Sequence, residues 1–171
     1  MKGRVFMSKL QNMRLVEIPQ FRAVSSGIRS LEEIFFIENS FNAWLDAHRN
    51  LIKDHIFEPQ DFLWHENDDI NRSTWIVAIK DNVTENDTAP YSIVEFPGGM
   101  FLVATCDESD NNDLNETVWE MRQWIDRNEV FEYGDLPGMC NMPNPDGIID
   151  KALGIAQQQI FLPIKFKEEN T

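Results

Sequence analysis

Leu15-Val16-Glu17-Ile18-Pro19 and Ile93-Val94-Glu95-Phe96-Pro97 are the two stretches whose reading decides the fold. Both are apolar and rich in branched residues, carry a glutamate at the third place and end at proline. They stand at an offset of 78 (15 to 93), and two further matches follow in order. Phe41-Asn42-Ala43-Trp44-Leu45-Asp46 resembles Met121-Arg122-Gln123-Trp124-Ile125-Asp126 at an offset of 80, and Trp75-Ile76-Val77-Ala78-Ile79-Lys80 resembles Ile160-Phe161-Leu162-Pro163-Ile164-Lys165 at an offset of 85. Offsets that rise along the chain are the mark of a duplication with small insertions in the second copy. Residues 1–171 are therefore expected to form a single domain of two repeats, about 13–81 and 91–167.

Each repeat reads as strand, strand, helix, strand, strand. Residues 13–19 and 91–97 have strand composition. Gly98-Gly99 reads as a hairpin turn leading into a return strand from Met100 to Cys106, and Phe21 to Ser25 takes that part in the first copy. Ser30-Leu31-Glu32-Glu33 has the capping-box pattern, and Ile34, Phe41, Trp44, Leu45, His48, Leu51 and Ile52 follow on one helical stripe. Thr117-Val118-Trp119-Glu120 repeats the box. Phe62 to His65 and Trp75 to Lys80 read as strands around a polar turn at 66–73. The second copy has a short strand near Met139 to Met142 and a closing strand from Ile160 to Phe166. The polar stretches 81–90 and 107–115 read as solvated loops. Strands and helices do not alternate regularly, so the expected class is α+β: a duplicated β-hairpin/helix/β-hairpin unit with antiparallel sheets, pseudo-two-fold symmetry and a central cleft.

Composition narrows the function. Hydrophobic residues are 42% of the chain, enough for a packed core. The 29 acidic against 15 basic residues give a net charge of -14, which disfavours direct contact with nucleic acid. No stretch has transmembrane length or the form of a signal peptide, so a cytoplasmic protein without membrane contact is expected. Cys106 and Cys140 form neither a disulfide framework nor a zinc pair. An EF-hand counted from Asp107 would need glycine at 112 and glutamate at 118, where the chain has Asn112 and Val118. His48 and His55 are seven apart, wrong for a helical metal pair, and His65 stands alone. No nucleophile elbow, P-loop or dinucleotide motif occurs. Neither a metal nor a cofactor is expected.

Aromatics are 11% of the residues. Trp44, Trp119 and Trp124 fall on predicted helices and read as core packing. Trp64 and Trp75 fall on adjacent strands and read as pocket walls. Glu17 and Glu95 occupy equivalent strand positions, with Glu95 on the face of Tyr91 and Ile93. A carboxylate facing an aromatic cavity would attract a cation.

The segments VEIPQFRAVSSG, SFNAWLD, IVEFPGGMFLVATC and QIFLPIKF together resemble the GyrI-like family, which includes effector-binding domains of AraC-type and multidrug-responsive regulators. The resemblance runs from about Met13 to Lys167. It implies two related halves flanking a cleft that takes hydrophobic, often cationic, small molecules. Where many members carry a glutamate near the start of the closing strand, this chain has Gln157-Gln158-Gln159, which can hydrogen-bond but supplies no charge. The expected ligand contacts are Glu95, Trp64, Trp75, Tyr91, Glu132, Tyr133, Glu17 and Gln159. The expected function is a small-molecule effector-binding domain, associated with transcription regulation or ligand sequestration. Two alternatives stay open: a hydrolase of electrophilic small molecules using Glu95, Glu132 or Glu17, and a protein inhibitor of a DNA-acting enzyme.

Overall fold

Pro19 and Pro97 decide which strands pair. In the computed structural model, which describes residues 11–54, 61–141 and 157–168, β1 spans Gln11–Ile18, β2 Phe21–Ser25, β5 Ser92–Phe96 and β6 Gly99–Asp107. The expected hairpins would join β1 to β2 and β5 to β6. Instead β1 pairs with β6, from Arg14 opposite Val103 to Ile18 opposite Gly99, and β2 pairs with β5, from Phe21 opposite Phe96 to Ser25 opposite Ser92. The connections are two residues each, Pro19-Gln20 and Pro97-Gly98. Both favoured two-residue hairpin turns require positive φ at the first loop residue. Proline holds φ near −65°, so neither connection can close a tight hairpin. The glycines at the second connection, Gly98 at φ 74° and Gly99 at φ 150°, shape the chain's exit without rescuing the turn.

This exchange sets the two compact units, Pro19–Gly98 and Met1–Ile18 with Gly99–Thr171. In the first, β3 (Asp61–Glu66) and β4 (Asp69–Ala78) complete the strand order β3-β4-β2-β5. In the second, β7 (Phe131–Tyr133), β8 (Met139–Asn141) and β9 (Gln157–Phe166) give the order β1-β6-β9-β8, with β7 also on β9. The strand pairings within each unit are antiparallel, and helices pack on these sheets, so the fold is α+β with antiparallel sheets as expected.

The helix expected after Ser30 is broken. Ser30 caps α1 (Leu31–Phe35): its hydroxyl accepts from the Glu33 amide at 3.3 Å, and Glu33 accepts from the Ser30 amide at 2.9 Å. The backbone and then the hydroxyl of Ser30 hold the Glu33 carboxyl below its ordinary pKa. A second helix, α2 (Phe41–Ala47), starts afresh because Ser40 accepts from the Ala43 amide at 3.1 Å. A serine offering a cap inside a helical stripe competes with helix continuation. The stripe still works: Ile34, Phe41 and Leu45 bury against Val24, Val77, Ile79 and Tyr91.

The polar stretches are more structured than expected. Residues 85–88 form α3 (Glu85–Thr88), where Asp87 accepts from the Thr84 amide at 2.8 Å. The long helix α4 (Asn111–Arg127) begins well before Thr117, with Asp110 accepting from the Asn112 and Asp113 amides. Asp113, Thr117, Met121 and Ile125, each four residues apart, form its buried stripe. Of the buried Asp113 carboxylate, Oδ2 accepts from the Asp107 amide at 2.8 Å. Thr117 is thus a mid-helix core residue rather than a cap. The turn expected at 66–73 is only Asn67-Asp68, both at positive φ as a type I′ hairpin requires. No helix among the described residues is long and apolar enough to cross a membrane.

Candidate ligand-binding site

Strand register sorts the expected contacts onto faces. In the Pro19–Gly98 unit, Trp75 stands opposite Leu63, and both pack with the helix-side core. Its ring lies 4.9 Å from Phe35 and 5.6 Å from Phe41, and its indole donates to Asp61 at 3.2 Å. Trp64, next along β3 from Leu63, faces the other way, opposite Thr74. The two tryptophans do not line one wall.

Tyr91 is a helix-side core residue. It meets Phe41 at 4.7 Å and Trp44 at 5.2 Å, both edge-on, and the Arg29 guanidinium lies over its ring at 5.7 Å. Glu95 is on the same side, at the exposed margin, 3.5 Å from Arg22 Nε. Arg22 is held in turn by the Asp81 and Val83 carbonyls, at 2.9 and 3.0 Å. The arrangement makes Glu95 a surface ion-pair partner.

The other unit holds the remaining four. Glu17, opposite Met100, is exposed at the margin of the helix-side face. Tyr133, opposite Ile164, is exposed beside α4, with its hydroxyl 3.5 Å from the Arg122 carbonyl. Desolvation and the nearby Asp126 push its phenol above the usual value. Glu132 and Gln159 lie on the opposite face. Glu132 pairs with Lys165 at 3.9 Å, and Lys165 also reaches Asp135 at 3.3 Å. Glu17 and Glu95 are exposed and Glu132 is half-buried.

The helix tryptophans also divide. Trp44 packs as expected, stacking on His48 at 4.3 Å, and His48 Nδ1 meets the Trp44 carbonyl at 2.8 Å. Trp124 is half-buried against Phe131 at 6.3 Å. Trp119 is 60% exposed and is not a core residue. His65 shares a hydrogen bond with Ser73 Oγ at 2.7 Å, and His55 lies outside the described residues.

The face to which Trp64 belongs carries no helix of its own unit among the described residues. Register places Phe21, Phe62 and Phe96 there, with ring centroids 4.8 to 6.2 Å apart. Trp64 is half-buried, and its indole N–H donates to Glu66 Oε1 at 3.1 Å. Phe21, Phe62 and Phe96 are themselves buried, and Trp64 and Glu66 stand half-buried beside them. Glu66 was not among the expected contacts, because it reads as the first residue of a polar turn. The alternation Phe62, Trp64, Glu66 along one strand face is the signal that identifies it.

By sequence the chain matches no known protein family and no curated protein. By structure it is similar to SAV2435 solved with tetraphenylphosphonium bound, at a TM-score of 0.57 and 12% identity over 91% of this chain and 94% of that one. It is similar to the C-terminal domain of EcmrR at a TM-score of 0.62 and 15% identity over 92% and 98%. It also matches EcmrR in its complex with DNA, at 0.64 and 14% over 90% of this chain and 57% of that one. At such identities the likeness is one of fold, and the chain shares the fold of SAV2435 and of the EcmrR C-terminal domain.

Proposed function

We propose that this chain is an effector-binding domain for hydrophobic small molecules, lipophilic cations included. The observation that carries the reading is Trp64 held beside Glu66 on the face lined by Phe21, Phe62 and Phe96. The half-buried indole offers a π-surface beside a buried phenylalanine cluster, and the carboxylate a charge that balances a cation. Two neighbours of the same fold support the class, one solved with a phosphonium cation and one the C-terminal domain of a protein that binds DNA as part of a larger chain. A role in regulation would then couple occupancy of this face to a DNA-reading partner.

Titration with tetraphenylphosphonium, followed by tryptophan fluorescence and calorimetry, tests the reading. Saturable binding is expected. Trp64→Ala should weaken it about 2- to 30-fold, the range of a cation–π contact. Glu66→Gln should weaken the phosphonium while leaving a neutral hydrophobic dye nearly unaffected. Saturable binding unchanged by Trp64→Ala would put the ligand elsewhere. Absence of binding across cationic and neutral probes would sink the reading.

A further inference from the structure

We infer that a stripe of α4 is a self-complementary surface on which a second copy of this chain docks, with two antiparallel α4 helices facing across a two-fold axis. The surface is a shallow groove of about 470 Å³ lined by Met13, Trp119, Glu120, Gln123, Trp124, Arg127 and Asn128. It lies within one unit and is separate from the Trp64 face. Its apolar components are unusually open: Trp119 is 60% exposed and Met13 39%. Leu15, on the same side of β1, is exposed as well. Singly exposed apolar residues need no explanation, but a tryptophan and a methionine lining one groove form a patch.

Charge placement selects the occupant. The helical part of the groove consists of positions 119/120, 123/124 and 127/128, a stripe advancing by four residues and distinct from the core stripe at 113, 117, 121 and 125. Its midpoint lies between Gln123 and Trp124. An antiparallel copy turned about that midpoint places Glu120 opposite Arg127 of the other chain, Arg127 opposite its Glu120, and Gln123 opposite its Trp124. This is the reciprocal pattern that a two-fold interface demands. Glu120 and Arg127 are about 10 Å apart along the helix, so they do not neutralise each other within one chain. Glu120 has no ion-pair or hydrogen-bond partner among the described residues, and Arg127 holds only Gln123, at 3.2 Å. Two reciprocal ion pairs would flank a centre where Trp124 of each chain meets Gln123 of the other, with Trp119 opposite Asn128 of the other chain beyond each pair. Aromatic residues at the core with charges at the rim are the usual anatomy of a protein interface.

Sedimentation equilibrium from micromolar to millimolar protein reads this out without any ligand, and so fails or succeeds independently of the effector-binding reading. A monomer–dimer equilibrium is expected. Glu120→Arg and Arg127→Glu each turn both pairs repulsive and should weaken the dimer about tenfold or more. Because each pair joins position 120 of one chain to position 127 of the other, an equimolar mixture of the two single variants should form a heterodimer. The Glu120→Arg/Arg127→Glu double variant should recover the homodimer. Trp119→Ser should abolish association while circular dichroism stays unchanged. A wild-type chain that remains monomeric throughout overturns the proposal. So does a dimer indifferent to all three single variants, or single variants that fail to combine. Tetraphenylphosphonium bound at a monomeric chain and lost with Trp119→Ser would assign the groove to a small molecule instead.

Discussion

Cys106 shows how one residue's surroundings set its chemistry. Its thiol sits in the core with Leu102, Ala104, Met121 and Ile125. Burial first, then the negative charge of Asp113, pushes its pKa up from 9.0 to about 12. The neutral thiol is therefore the form the fold accommodates. The folded state holds its proton where the unfolded state has released it, so this contribution is complete below pH 9 and falls away as pH rises from 9 toward 12. We expect iodoacetamide at pH 8 to leave Cys106 unmodified in the native protein and to modify it in urea, as read by peptide mass spectrometry. Modification under native conditions at the rate of a free thiol would contradict the packing described. Trp64 and Trp75 give the same lesson by contrast. Both are half-buried strand tryptophans whose indoles donate to carboxylates, yet register sends one to the helix-side core and the other to the opposite face.

At the scale of elements, two prolines account for the exchange of β1 and β5 between the units. The connections Pro19-Gln20 and Pro97-Gly98 have hairpin length but not hairpin chemistry. Converting both to Asn-Gly, by Pro19→Asn, Gln20→Gly and Pro97→Asn, supplies the type I′ preference at each. Cross-strand nuclear Overhauser contacts between Ala23 and Val94 report the β2–β5 pairing, and contacts between Leu15 and Leu102 report β1–β6. In the triple variant these should weaken, and new contacts between β5 and β6 should appear. A variant that keeps the wild-type contacts at full strength would show that side-chain packing alone chooses the partners. The helices were set by side-chain caps in the same local manner. Ser40 divides one amphipathic stripe into two helices, and Asp110 starts α4 inside a stretch whose Asp and Asn content resembles a loop.

At the scale of the whole molecule, effector binding predicts a stability effect. A ligand that binds only the folded chain raises stability by RT ln(1 + [L]/Kd), about 2.7 kcal/mol at a hundredfold excess over Kd. Tetraphenylphosphonium at that excess should raise Tm by several degrees, and Trp64→Ala should reduce the rise at the same ligand concentration. A shift of equal size in the variant would show binding at another place, and no shift at saturation would contradict binding to the native state. The net charge of -14 bears on this only in part. Several acids act as caps, as Asp87 and Asp110 do, and others are paired on the surface, as Glu95 and Glu132 are. The charge that matters for a cation is local, and Glu66 is the carboxylate on the aromatic face.

Sequence by itself determined the α+β class and the helix start at Ser30, and its ordered repeats led to the expectation of a duplication. These rest on local chemistry: alternating strand residues, repeated blocks at ordered offsets, and a cap whose partners lie three residues apart. The strand composition of β5 and β6 was legible, as was the apolar stripe through Ile34, Phe41 and Leu45. Only the tertiary structure decided which strands pair, because partner choice is a long-range matter even where Pro19 and Pro97 forbid the local option. It also decided which face each aromatic serves. Trp64 and Trp75 lie on opposite faces through register, a property of two strands together that neither strand's composition contains. Likewise Glu66 and Trp119, which read as a turn residue and a core residue, prove to be a half-buried strand residue and an exposed helix residue.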